Sequence, residues 1–171
     1  MKKIIFALAA TAVLVVGCDN KDKELTAQYD VLVAQQDSLA TVTAQNKAAH
    51  QEMVAMHQAM NEKLNAMETK DSSLMVTMAE HEVIFKNHEA ILVGQEAMIA
   101  GNNELKEKFA TLTAEEKEAQ IALIVENQEK MIEQNQTLKQ EHEQLMAKHQ
   151  DLMAKVETPA VTNGDEKVMQ Q

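Results

Sequence analysis

Six histidines fall in pairs seven residues apart: His50/His57, His81/His88 and His142/His149. Methionines stand one helical turn away from most of them. His50 precedes Met53, His57 precedes Met60, Met78 precedes His81, His142 precedes Met146, and His149 precedes Met153. A spacing of three or four puts two side chains on one helix face. Imidazole with thioether suits a soft ion such as Cu(I). Two histidines seven apart on one helix lie about 10.5 Å apart along the axis, too far to share one ion. A heptad repeat by itself also spaces residues by seven, and Met is a flexible gap-filler where aromatics are scarce. From sequence alone the packing reading therefore weighs more than the metal reading.

The His-x-x-Met pairs resemble those of periplasmic silver- and copper-binding helical proteins. That resemblance implies metal ligands among His50, Met53, His57, Met60, Met78, His81, His142, Met146, His149 and Met153. It covers scattered tetrads, not a domain. A second expectation is a response to pH. His81, His88, His142 and His149 flank an apolar stripe and are expected to be half exposed, and unperturbed His titrates near neutrality. No enzyme is expected. The chain shows no phosphate loop and no nucleophile elbow, and the pairs His142/Glu141 and His81/Glu80 are helix neighbours that face different ways.

The elements that would position these residues are long helices. Ala, Glu, Lys, Gln, Leu and Met dominate, all strong helix formers. Trp is absent, and Tyr29, Phe85 and Phe109 are the aromatics beyond residue 17. So few large side chains fill a thin seam between helices, not a thick core. From Leu25 a heptad row runs Leu25, Leu32, Leu39, Asn46, Met53, Met60, Met67, Leu74, with Val42, Ala49 and Met56 as partners. Such a row argues for a coiled coil. Around residues 70–73 the stripe rotates to Ile84-Phe85, Ile91-Leu92 and Met98-Ile99, and a polar row appears: His81, His88, Gln95, Asn102. Thr113-Ala114-Glu115-Glu116 reads as a capping box opening a third helix. There the polar row is Gln128, Asn135, His142, His149, the mirror of the second segment. A fold-back near Thr113 would bring like residues level. The expected fold is all-α, either an antiparallel coiled-coil hairpin or a slender three-helix bundle. Its helical region spans 24–156, in segments of about 24–69, 73–112 and 114–156, with a disordered tail at 157–171.

The N-terminal region sets the expected location. Lys2 and Lys3 precede an apolar run from Ile4 to Val16, and Leu14-Val15-Val16-Gly17-Cys18 follows. A basic start, a short apolar core and a small residue mark a secretory signal, and the run is shorter than the ~20 residues of a membrane span. With the lone Cys18 placed directly after it, the segment resembles a bacterial lipoprotein signal peptide with its lipobox. The resemblance implies removal of residues 1–17 and acylation of Cys18, with palmitate-type chains anchoring the protein in the cell envelope. Residues 18–23 would be an acylated cysteine and a charged tether. Asp19 implies inner-membrane retention under the enterobacterial rule, whereas the Lys/Asp/Glu cluster resembles the surface-export signal of Bacteroidota lipoproteins. No cofactor is expected besides the lipid, with Cu(I) or Ag(I) only under the metal reading.

Without Lys2 and Lys3 the chain carries 14 basic against 27 acidic side chains and no arginine. Phosphate recognition relies on Arg forks and basic patches, so nucleic acid is not an expected partner. The leading expectation is a lipid-anchored structural, tethering or adaptor protein that meets protein partners, or itself, through its helices. The alternative is an envelope metal-binding module.

Overall fold

The computed structural model describes residues 18–67 and 72–157. The chain is all-α. Three helices, α1 (Cys18–Ala66), α2 (Ser72–Lys108) and α3 (Ala114–Glu157), pack against one another, and a short 3₁₀ turn at Phe109–Thr111 ends α2. Among the described residues there is no strand, and no helix is long and apolar enough to cross a membrane. Residues 1–17, 68–71 and 158–171, which include the expected signal peptide, the first half of the expected break at 70–73 and the expected tail but for Glu157, lie outside the described residues, while Ser72 and Ser73 begin α2.

Side-chain pairs fix the directions of the helices. Asn46 meets Asn135 and His57 meets His149, so α1 and α3 run parallel. Gln36 meets Asn102 and Thr43 meets Gln95, so α2 runs against α1. The architecture is the three-helix bundle of the two expected forms.

α1 is longer than the segment expected at 24–69, beginning at Cys18 and ending at Ala66. The stretch read as a tether, 18–23, is helical. No Gly or Pro interrupts it, and it is tied to α3: Lys21 pairs with Glu118 at 2.8 Å, and Asp22 takes the buried ammonium of Lys117. At the other side of that end, Tyr29 stacks on Phe109 with centroids 3.7 Å apart, and Lys117 lies over the Phe109 ring. This stack pins the chain where α2 must stop. The regular helix accordingly ends at Lys108, not 112, and Leu112 is extended. The capping box then starts α3. Thr113 N–H donates to Glu116 Oε2 at 2.8 Å, and Glu116 N–H donates to Thr113 Oγ1 at 3.3 Å. The Thr113 N–H, and after it the Thr113 hydroxyl donating to Glu116 Oε2 at 2.9 Å, hold the Glu116 carboxyl below its ordinary range.

The core is a ladder of layers, each drawn from all three helices. Apolar layers hold the two ends: Tyr29, Leu32, Phe109 and Ile124 at one, Met60, Leu64, Met78 and Leu152 at the other. Between them lie amide layers. Asn102 donates to Gln36 at 3.0 Å, and Gln128 donates to the Leu32 carbonyl at 2.7 Å. Thr43 donates to Gln95 at 2.9 Å, and Asn46 donates to Asn135 at 2.8 Å.

Two expectations are corrected here. In α1 the second core row is not Val42, Ala49, Met56, which are only half buried. It is Tyr29, Gln36, Thr43, His50, His57, Leu64, all buried. And the polar rows of α2 and α3 are not half exposed: His81 is 2 %, His88 1 % and His149 0 % accessible. A two-helix hairpin would leave those rows on its rim. α1 closes over that rim and makes it the bundle axis.

Candidate metal centre

Each helix delivers two histidines to the axis, seven residues apart, which is two helical turns. Because α2 runs opposite to α1 and α3, the pairs register as two layers. His50, His88 and His142 form the first, and His57, His81 and His149 the second. In each trio one ring nitrogen per residue lies within 4.8 Å of the others, and all six residues are buried. Rings in the first layer are 4.9–6.0 Å apart by centroid, and 4.8–6.1 Å in the second. A tetrahedral ion with bonds of 2.0–2.1 Å needs nitrogens about 3.3–3.5 Å apart. A closure of about an ångström or so, within rotamer adjustment, would bring either trio to that geometry.

Phe85, Met53 and Leu145 fill the layer between the two trios. The Phe85 ring stands edge-on to His50 at 5.7 Å and to His57 at 5.1 Å. It separates the trios into two centres.

The hydrogen bonds assign several protons. In the second layer His149 Nδ1 donates to the Leu145 carbonyl at 2.9 Å, which leaves its Nε2 lone pair facing the axis. His57 Nδ1, 3.1 Å from that nitrogen, is then the donor between them. Both nitrogens of His81 are buried without a partner. In the first layer His88 Nε2 donates to Glu141 Oε2. Its Nδ1, the Nδ1 of His50 and both nitrogens of His142 are buried without a partner. Buried polar atoms are nearly always hydrogen-bonded, and each orphan costs ~1–3 kcal/mol. Nine buried side-chain atoms among the described residues lack a partner, and six of them are imidazole nitrogens of the trios, four in the first and both of His81 in the second. The donor set fits a bound ion: neutral imidazoles suit Zn, Cu, Fe and Ni. A histidine whose other nitrogen is held by a carboxylate or carbonyl, as His88 and His149 are, is the usual support of a metal ligand.

Burial also sets the charge state. It pulls His81 and His142 down to about 4, helped by the neighbouring imidazoles. Burial lowers His50, His57 and His149 as well, partly opposed by Glu89 at His50, by Glu82 at His57, and by the Leu145 carbonyl at His149. At neutral pH these rings are uncharged, and each keeps a lone pair able to coordinate an ion, that of His149 on giving up its bond from His57.

Access comes through the seam between α1 and α2. A groove of about 340 Å³ reaches His50 past Glu89, Glu96 and Lys47, and a second of about 280 Å³ reaches His50 and His57 past Glu82 and Lys86. Acidic side chains at both mouths favour a cation.

Of the residues singled out from sequence, the six histidines except His88 were candidate ligands, and all of these join the trios. His88, which the sequence pairs with His81 without marking it as a ligand, joins the first trio as well. Met53, Met60 and Met78 are buried in layers next to the trios, while Met146 and Met153 are half buried on the flanks of the apolar clusters. Glu141 corrects an expectation. It is not an idle neighbour of His142 but the partner of His88 across the α2–α3 seam. A cross-helix partner of this kind has no signature in local spacing.

No protein-family model, curated protein or solved structure matches this chain.

Proposed function

We propose that the protein is an envelope-anchored metal binder whose three-helix bundle holds transition-metal ions in two three-histidine centres, His50/His88/His142 and His57/His81/His149. One observation carries the reading: six buried imidazoles form two trios in which one ring nitrogen per residue lies within 4.8 Å of the others, and six of their ring nitrogens have no partner. The amide layers give the contrast. If the polar core served only to fix helix register, as a buried Asn does in coiled coils, the histidine layers would be as nearly satisfied as the amide layers, where every side chain has a partner and only the atoms Gln36 Nε2 and Asn135 Nδ2 are left without one. Gln36, Asn102, Gln128, Thr43, Gln95, Asn46 and Asn135 all bond across helices. The histidine layers leave six of their twelve ring nitrogens buried without a partner, four in the first trio and two in the second.

The envelope location rests on the lipobox-like Leu14-Val15-Val16-Gly17-Cys18. The spacing role expected of a rod becomes the scaffold's share of this function, with α1 carrying the centres away from Cys18. Three imidazoles leave a fourth coordination position, as in sites that bind exchangeable ligands. No catalytic step is assigned to it.

Titration of chelator-stripped protein with Co²⁺, followed by the visible bands of a tetrahedral ion, tests the reading. Two equivalents are expected, the second held less tightly at His57/His81/His149, falling to one in His142→Leu and to one in His81→Leu. Binding that is no tighter than to a variant with all six histidines replaced by leucine overturns it.

A further inference from the structure

We infer that the two centres select different ions: a divalent ion of the zinc class at His50/His88/His142, and a soft monovalent ion, Cu(I) or Ag(I), at His57/His81/His149. This rests on the metal-binding reading above and concerns how its two halves differ.

The first difference is charge. A divalent ion on three neutral imidazoles places two positive charges in the core, which needs compensation nearby. The first centre has two carboxylates at hand. Glu141 accepts from His88, and Glu89 faces His50 across the α1–α2 groove. Lys47, the cation on that side, is already paired with Glu96. The second centre lacks this balance. Its carboxylate, Glu82, is paired with Lys86 at 3.1 Å, and Lys148 adds positive charge beside His81. Such surroundings disfavour a double charge and tolerate a single one better.

The second difference is sulfur. The layer beyond the first centre is Asn46, Leu92 and Leu138, without a sulfur atom. The layer beyond the second contains Met60 and Met78, fully buried with Leu152 in one cluster. Each stands one turn from its own helix's ligand, His57 or His81, and on the same face. Thioethers are soft donors that select Cu(I), so Met60 or Met78 is placed to supply the fourth ligand that an open three-imidazole site lacks. Met53 lies between the centres and does not distinguish them.

The test uses the full chain, purified in detergent, stripped of metal and loaded anaerobically with buffered Cu(I) and with Zn²⁺, separately and together. Mass spectrometry under mild conditions is expected to find one of each ion in the mixed sample. X-ray absorption is expected to show a sulfur shell at copper and only light N/O donors at zinc. Met60→Leu with Met78→Leu conserves volume and folding. It should abolish the Cu–S shell and leave zinc affinity unchanged. Glu141→Gln should weaken zinc by about 10–100-fold and leave copper unchanged. Two ions of one kind held equally well at both centres, or copper without sulfur, overturns the inference while leaving the centres intact. Binding of neither ion overturns the metal reading itself, and this inference with it.

Discussion

His57 Nδ1 and His149 Nε2 lie 3.1 Å apart, joining α1 to α3 through two imidazoles in direct hydrogen bond. The contact holds only while His149 Nε2 has a lone pair, so protonation of that ring breaks it. This gives the protein a defined response to acid. His81 and His142 are held at about 4 in the fold against an ordinary value near 6.5, and His50, His57 and His149 are also lowered. Groups with depressed folded values leave stability undiminished above pH ~6.5. As pH falls from there toward 4, the unfolded chain takes up protons that the fold refuses, and stability drops. The metal-free protein should melt at the same temperature at pH 7.5 and 8.5, and markedly lower at pH 5. Circular dichroism at matched salt, with chelator present, reads this. An equal melting temperature at pH 5 and 8 would contradict it.

Replacing an orphaned histidine should help the apoprotein and harm the centre. His81 has both nitrogens buried without partners. His81→Leu removes that desolvation penalty and keeps the volume filled, so metal-free stability should hold or rise. Added Cu(I) should then raise the melting temperature less than in the parent protein. His149→Leu differs, because it strands the His57 Nδ1 donor. It should lower stability even without metal. Urea melts with and without chelator separate the two cases.

The Tyr29–Phe109 stack anchors the end where α2 turns into α3. Phe109→Ala should cost about 3–5 kcal/mol. The metal centres lie several layers away, so Co²⁺ stoichiometry should not change at temperatures where the variant is folded. A fall in stoichiometry at such temperatures would show that the ladder is not modular.

Thr113→Ala removes the N-cap of α3 and leaves Glu116 N–H without its acceptor. The expected loss is ~1 kcal/mol, measured by urea denaturation. The Glu116 carboxyl should at the same time rise only part of the way to its ordinary range, since the Thr113 hydroxyl contact is lost while the Thr113 N–H, the larger cause, still donates to it.

Cys18→Ser should release the protein from membranes and abolish labelling by palmitate. The parent protein should carry label and begin at Cys18. An unlabelled product that retains its first seventeen residues would remove the envelope anchor from the proposed function.

The helices and the α2–α3 turn were legible in the sequence because their signals are local. Heptad spacing, the Thr113/Glu116 box and the mirrored polar rows each involve residues near in sequence or on one helix. The centres were half legible. The mirrored rows place His88 level with His142 and His81 with His149, yet His50 and His57 were assigned to no matching row. In α1 the obvious apolar row from Leu25 to Leu74 drew attention to the wrong companion, Val42, Ala49 and Met56. The companion that faces the axis, Tyr29, Gln36, Thr43, His50, His57 and Leu64, follows the same order of chemistries as the rows of α2 and α3. Matching that order across three segments would have found both trios. The bond from Glu141 to His88 depends on the rotation of two helices about their axes, which no pattern within either helix specifies.

The unbroken run of α1 from Cys18 has a consequence for where the centres work. At 1.5 Å per residue, His50 stands about 48 Å and His57 about 58 Å along the helix from Cys18. With that residue's acyl chains in a bilayer and the bundle upright, both knots of imidazole would sit several screening lengths above the lipid phosphates, whose potential fades within about 8–10 Å. The ions they meet would then have the composition of the open aqueous compartment, not of the cation-enriched layer at the lipid surface.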